Sequence, residues 1–307
     1  MPHVSRVKLV AAFAAIYVIW GSTYLAILMA IQTLPPLLMA GARFLVAGLI
    51  LLAWAWRARP SAPTKRQLRN AAIIGLLLLV GGNGAVVLAE RLIPSGLAAL
   101  LVATLPVWMV LLEWARPGGT KPSAGVVVGL ILGILGLAVL IGPAILHPDA
   151  GGTANNGIRI AGVVILMVGE VAWATGSILA QHMELPRSTA LATAIEMLAA
   201  GVVFLIVSVL THEPDFFDIS RVSGRSIAGL IYLITFGSLV AFSAYIWLLK
   251  VSTPAKVATY AYVNPVVALF LGWAFAGESL SVRTAVASAI VIAAVAVITT
   301  ARGSRAT

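Results

Sequence analysis

The sequence predicts an all-α integral membrane protein with ten transmembrane helices arranged as two inverted five-helix repeats, and three observations carry that expectation. Hydrophobic residues make up 61% of the chain and charged ones only 10%, against about 45–50% and about 25% in ordinary soluble domains. A chain of 307 residues is long enough for a large soluble core, but not with so few charges to clothe it. Apolar runs of about 20 residues recur along the whole length, each able to cross a hydrocarbon layer of roughly 30 Å. The chain also resembles itself. Sliding residues 14–52 forward by 153 brings Trp20 onto Trp173, Leu45 onto Leu198, Ala47 onto Ala200 and Gly48 onto Gly201. A shift of 159 brings Ala99 onto Ala258, Pro106-Val107 onto Pro265-Val266 and Gly118 onto Gly277. Five is odd, so the second copy of a membrane-crossing five-helix unit must run upside down to the first.

The segments are expected at 9–30, 36–56, 70–90, 95–114, 123–142, 158–180, 189–210, 226–249, 254–275 and 282–301. The first follows Arg6 and Lys8 as a signal peptide would, but it exceeds the 7–15 apolar residues of a typical signal core and reads as an uncleaved helix. Pro35-Pro36, Pro94 and Pro254 stand where the second, fourth and ninth segments begin, the place at which a missing N–H costs nothing. In the fifth segment Gly125, Gly129 and Gly133 are spaced by four, with Gly136 beyond them, and Ala285, Ala289 and Ala293 repeat the spacing in the tenth. Small residues let membrane helices approach closely, so the two stripes are expected to pack together within a monomer. His147–Gly157, containing Pro148 and Gly151-Gly152-Thr153-Ala154-Asn155-Asn156, is a turn-rich linker. It divides the chain into repeats 1–150 and 151–307. Thr211–Gly224, with Glu213, Asp215 and Asp218, reads as a solvated outer loop.

The net charge of +10 reports topology rather than nucleic-acid binding. With the N-terminus inside, the cytoplasmic ends carry Arg6, Lys8, Arg57, Arg59, Lys65, Arg66, Arg69, Arg116, Lys121, Arg187, Lys250, Lys256, Arg302 and Arg305. The outer ends carry only Arg91, Arg159, Arg221, Arg225 and Arg283. This positive-inside asymmetry puts both termini in the cytoplasm. The chain has no cysteine, so disulfides and thiolate metal sites are excluded. His3, His147, His182 and His212 fall in loops or at helix ends without metal-ligand spacing. No nucleophile elbow, phosphate loop or paired intramembrane carboxylates appear. Neither enzyme chemistry nor a metal or other cofactor is expected.

Inverted repeats are the mark of secondary transporters, whose solute site lies where the halves meet. Tyr17, Trp20 and Tyr24 share one face of the first segment, and the shift of 153 carries them onto Glu170, Trp173 and Ser177. The two tryptophans lie roughly 17–22 Å from their helix ends, too deep for the aromatic belt at the membrane surface, so both stripes are expected to line a central pocket. Glu170 is the deepest carboxylate; near the bilayer centre it must face a wet cavity, find a partner or stay protonated. A substrate ammonium, a transported proton and a structural hydrogen bond all remain open for it. Arg43 and Glu196 occupy matching positions in the repeats, but inversion separates them by about 10 Å along the membrane normal, and each is expected to anchor within its own half. Glu90, Glu113 and Glu278 lie near helix ends and are expected to be solvated. Pro106 and Pro265 stand at matching places and free the carbonyls of Val102 and Ala261, which marks candidate hinges. Thr104, Trp108, Tyr260 and Asn264 surround these breaks, and Asn83 and Tyr245 (beside Ser243) are further pocket candidates.

Ile19-Trp20-Gly21-Ser22-Thr23-Tyr24, Pro35-Pro36 followed by Ala40-Gly41-Ala42-Arg43-Phe44, Gly82-Asn83-Gly84, and Tyr260-Ala261-Tyr262-Val263-Asn264-Pro265 resemble EamA-type members of the drug/metabolite transporter superfamily, over nearly the whole chain. The resemblance implies ten helices in two inverted repeats and a cavity lined chiefly by helices 1, 3, 4, 6, 8 and 9. It also implies a bacterial inner-membrane exporter. The Gly-Glu that ends the ninth helix stands here as Gly277-Glu278, whereas its counterpart in the first half is Gly118-Gly119, so a role needing both acids is in doubt. The expected function is export of small hydrophobic or aromatic amphiphiles, amino acids first among them, by alternating access. Trp20, Tyr24, Trp108, Trp173 and Tyr260 would give apolar and cation–π contact. Asn83, Ser177 and Asn264 would give hydrogen bonds, with Glu170 near the ammonium. The alternatives are a broad drug or nucleoside exporter and a membrane enzyme acting on a lipid or isoprenoid carrier. The expected partners are a small-molecule substrate and the lipid bilayer.

Overall fold

Among the described residues of this computed structural model, which are 5–58, 61–89, 91–93, 98, 101–146, 156–276 and 282–301, the backbone is helical with no strand. Six helices are long and apolar enough to cross a bilayer: α1 (Arg6–Ala30), α2 (Pro36–Arg57), α3 (Lys65–Ala89), α6 (Asn156–His182, apolar from Ile160), α7 (Thr189–Leu210) and α8 (Gly224–Val251). The other described helices are α4 (Leu105–Ala115), α5 (Ala124–Leu146), α9 in two pieces (Pro254–Ala258 and Tyr260–Ala276) and α10 (Val282–Thr300). Pro94, Glu90, Gly151-Gly152 and Gly277-Glu278 lie outside the described residues.

Local chemistry sets several helix starts. Pro36 takes the first turn of α2. Thr64 and Gln67 form a reciprocal capping box on α3, satisfying two otherwise orphaned donors. Ser188, Ser223 and Thr253 accept from backbone N–H groups at the starts of α7, α8 and α9.

The helices of the two halves interleave. α2 lies along α7, and α5 along α10. α1 packs against α8 and α9, while α6 packs against α3 and α4. The first helix of each half is therefore held by the third and fourth helices of the other. The glycines of α5 do receive α10, but not through its alanine stripe. A Cβ on Gly129 would meet Ile298 Cγ1 at 2.4 Å, and one on Gly136 would meet Val291 Cγ2 at 2.9 Å. Gly133 receives the Tyr262 ring of α9, at 2.5 Å from a built Cβ. Ala285, Ala289 and Ala293 are exposed on the far side. The glycine groove takes large side chains as knobs, so no second row of small residues is needed opposite it.

Two features of the long helices escaped the sequence. α3 is π-helical over Leu76–Asn83 and α8 over Leu233–Phe242. The starts of these stretches lie 233 − 76 = 157 residues apart, between the two repeat shifts. Wide π turns are rare and recur at functional sites.

Four acidic or basic residues sit differently from expectation. Glu213 is not a free member of an acidic loop: its carboxylate accepts from the backbone N–H groups of Leu37 and Leu38 and from Ser208 Oγ. It thereby caps the N-terminus of α2, where an anion is favoured by the helix dipole. Glu113 is not solvated either. Burial of its stem brings it onto Arg116 at 2.7 Å and His182 at 3.4 Å, joining the end of α4 to the end of α6. Arg43 is anchored across the halves, its Nε donating to Ser238 Oγ of α8 at 2.9 Å, because the interleaved packing brings α8 against α2. Glu196 is fully buried in α7 with no hydrogen bond to either carboxylate oxygen.

Candidate functional site

A cavity of about 70 Å³ lies at the junction of the interleaved helices. Trp20, Thr23, Tyr24 and Ile27 line it from α1, and Gly82, Asn83 and Val86 from α3. Glu170 and Trp173 face it from α6, Tyr260 and Asn264 from α9, Arg43 from α2, and Val102 from just before α4. Its volume is below the roughly 300–1,000 Å³ of ordinary small-molecule pockets.

Aromatic rings close one end. Trp20 meets Tyr260 at 4.7 Å, Tyr245 at 5.1 Å and Trp173 at 5.6 Å between ring centroids, and its pairs with Tyr260 and Trp173 are edge-to-face. Such pairs add about 0.5–1.5 kcal/mol beyond burial. Each tryptophan leans on the π segment of the opposite half. Trp20 Nε1 donates to the carbonyl of Gly237 at 3.3 Å, and a Cβ on Gly82 would stand 2.5 Å from Trp173 Cε3. Glycine is needed at residue 82 because the indole occupies the space a side chain would take.

Polar groups fix the rings. Trp173 Nε1 donates to Tyr245 Oη at 2.8 Å, and Ser177 Oγ donates to the Trp173 carbonyl at 2.7 Å while also bonding Tyr245 Oη. Beyond the rings, Tyr17 Oη bonds Thr259 Oγ1 at 2.6 Å. The Asn264 amide, oriented to donate, reaches the carbonyls of Tyr260 at 3.0 Å and Tyr17 at 3.2 Å. These contacts tie α1 to α9 on the side of the cavity nearer the start of α1. The cavity itself runs the other way, from Trp20 to Ile27 along α1 and from Gly82 to Val86 along α3.

Of the residues expected in a pocket, Trp20, Tyr24, Asn83, Glu170, Trp173, Tyr260 and Asn264 line the cavity. Ser177 and Tyr245 stand behind it as supports for Trp173. Tyr17 belongs to the closure, and its other side faces a separate apolar crevice with Leu9, Phe13 and Val251. Trp108 is turned to Thr104, with Nε1 at 3.2 Å from Oγ1. Thr104 in turn donates to Leu101 O at the break before α4. Pro106 sits in the first turn of α4 rather than inside a continuous helix, whereas Pro265 lies inside the second piece of α9, whose interruption is at Thr259. Arg43, Thr23 and Gly82 line the cavity without having been expected there. Two unpaired polar groups mark the walls: Glu170 Oε2 and Asn83 Oδ1 are buried without a hydrogen-bond partner.

Comparison with known proteins agrees with this architecture. The profile of the EamA-like transporter family matches twice, over residues 8–142 and 160–300. The chain is 40% identical over 292 residues to the uncharacterized inner membrane transporter YedA of Escherichia coli, covering 95% of this chain and 90% of that protein. It is 27% identical to Protein PecM of Dickeya dadantii, over 86% of this chain and 82% of PecM. Identity to the uncharacterized transporter YoaV of Bacillus subtilis is 23%, over 90% of this chain and 91% of YoaV. A solved crystal structure shares the fold with a TM-score of 0.76 at 21% identity, covering 96% of this chain and 98% of that one. The double match and the long alignment to YedA leave no place for the membrane-enzyme alternative: the chain is a membrane transporter and belongs to the EamA-like transporter family.

Proposed function

We propose that this transporter exports small hydrophobic or aromatic amphiphiles, amino acids first among them, by alternating access. The observation that carries the reading is the cavity where the first helix of each half is held by the other half. Its walls combine aromatic rings (Trp20, Trp173, Tyr260) with a buried carboxylate (Glu170) and amides (Asn83, Asn264). Rings and a carboxylate together suit an amine carried on an apolar or aromatic body. Glu170 receives the ammonium.

The repeats 1–150 and 151–307 are inverted copies. The double family match, the matching π segments and the interleaved packing support this. In the proposed cycle α3, α4 and α6 rock against α1, α8 and α9, while the α2–α7 and α5–α10 pairs serve as the frame. The chain breaks beside Pro106 and in α9 ahead of Pro265 absorb the bending. In this cycle the aromatic closure and the Tyr17–Thr259 bond form the gate on the cytoplasmic side. The protein works as a monomer in the bacterial inner membrane, where the name of its E. coli relative places that protein.

Purified protein in proteoliposomes tests the reading. Labelled phenylalanine and tryptophan are expected to cross unchanged and to compete with one another, whereas nucleosides and quaternary ammonium dyes are not. Movement of nucleosides or dyes with no movement of amino acids overturns it. Topology is tested separately with reporter fusions. Both termini are expected to be cytoplasmic and residues 151–156 and 211–224 outside, and a cytoplasmic signal from either loop removes the inverted repeat.

A further inference from the structure

Arg43 is 4% exposed and lies within the membrane-spanning α2. An arginine guanidinium stays charged in proteins and carries five donors. Here one donor is used, Nε on Ser238 Oγ, and the guanidinium carbon sits 4.7 Å from the Phe44 ring centroid. Among the described residues no carboxylate pairs with it. An uncompensated charge in such surroundings costs several kcal/mol unless something repays it.

The surroundings hold the group in place without neutralising it. The π segment of α8 supplies Ser238 to fix Nε, and Gly237 lets the head lie close: a Cβ there would stand 3.0 Å from Arg43 Nη2. The same Gly237 offers its carbonyl to Trp20, so one wide turn positions both the ring and the cation. The Nη groups have no hydrogen-bond acceptor among the described residues, and the side chain lines the cavity. Glu170 lines another wall of the same cavity, forms no ion pair with Arg43, and leaves Oε2 unpartnered.

We propose that Arg43 is the anion subsite of the cavity and takes the carboxylate of the transported solute as a two-pronged ligand. The solute class is then zwitterionic, with its carboxylate on Arg43, its ammonium on Glu170 and its apolar side chain among Trp20, Trp173 and Tyr260. This rests on the reading of the cavity as the solute site and narrows it, because a cationic drug satisfies Glu170 alone. The guanidinium fork matches a carboxylate's geometry, and a carboxylate that brings charge to Arg43 removes the cost of leaving that charge uncompensated.

Three probes that share a phenyl ring and differ in the charged groups they carry test the inference by calorimetric titration of the purified protein: phenylalanine, phenethylamine and hydrocinnamate. Wild type is expected to bind phenylalanine most tightly and hydrocinnamate measurably. Arg43→Gln is expected to weaken both carboxylate-bearing probes tenfold or more relative to phenethylamine, and Arg43→Lys, which keeps the charge without the fork, to fall between. The wild-type ranking stands even if the glutamine variant does not fold. Wild-type affinity of Arg43→Gln for phenylalanine and hydrocinnamate overturns the subsite. So does a wild type that prefers phenethylamine and ignores hydrocinnamate, which would leave the cavity an amine site. Binding of hydrocinnamate without phenylalanine keeps Arg43 and removes the amino-acid reading. Binding of none of the three removes both.

Discussion

Trp20→Ala and Trp173→Ala are each expected to lose at least about tenfold in transport per folded molecule, a cost of about 1.4 kcal/mol at the limiting step. Each ring lines the cavity and also closes one end of it, touching the other tryptophan and Tyr245. If the cavity is the solute site as proposed, removing either takes away contact area for the solute and opens the closure toward Tyr17 and Thr259. Truncating a buried tryptophan also costs about 3–5 kcal/mol of stability, so folded yield by size-exclusion chromatography has to accompany the transport assay. A fall in transport that only tracks the fall in folded protein would make the rings packing elements. Full transport by both variants would remove them from the site.

The second large effect is expected at Glu170. Glu170→Gln keeps the volume and one acceptor but cannot carry the charge that would face a bound ammonium, and a hydrogen bond to a charged group contributes about 1.5–3 kcal/mol. Affinity for phenylalanine and phenethylamine should therefore drop about tenfold or more, while an uncharged analogue such as 3-phenylpropanol binds as before. Transport driven with and without a pH gradient separates the other role. Intact amine binding with a lost response to the gradient would assign Glu170 to carrying a proton. Unchanged affinity and an unchanged gradient response would make it structural.

Helical periodicity made the stripes on α1 and α6 legible because residues three and seven apart share a face whatever packs against them. Trp20, Tyr24, Glu170 and Trp173 were found that way, and the matching shift of 153 put them in opposite halves. Arg43 was visible as a charge within a span, but its partner Ser238 is 195 residues away, a separation at which local pattern carries no information. Glu213 failed for the same reason. Nothing in an acidic loop shows that one of its carboxylates caps a helix 176 residues earlier. The π segments were hidden differently: Leu76–Asn83 and Leu233–Phe242 are apolar runs rich in leucine or glycine, and such runs look the same whether the turn holds 3.6 residues or more. Spacing alone also overreached at α10, where Ala285, Ala289 and Ala293 form a regular stripe that faces away from α5.

The interleaving of the halves bears on how the protein is made. Insertion of membrane helices precedes their packing, and here packing must wait long after insertion begins. When α5 leaves the ribosome, α1 still lacks α8 and α9, its principal neighbours. The cationic head of Arg43 then has no Ser238 to hold it, and a charge in lipid is costly. The newborn first half is thus a loose set of inserted helices with a polar face turned outward. Trp20 gains its ring neighbours one by one, Trp173 with α6, Tyr245 with α8 and Tyr260 only with α9.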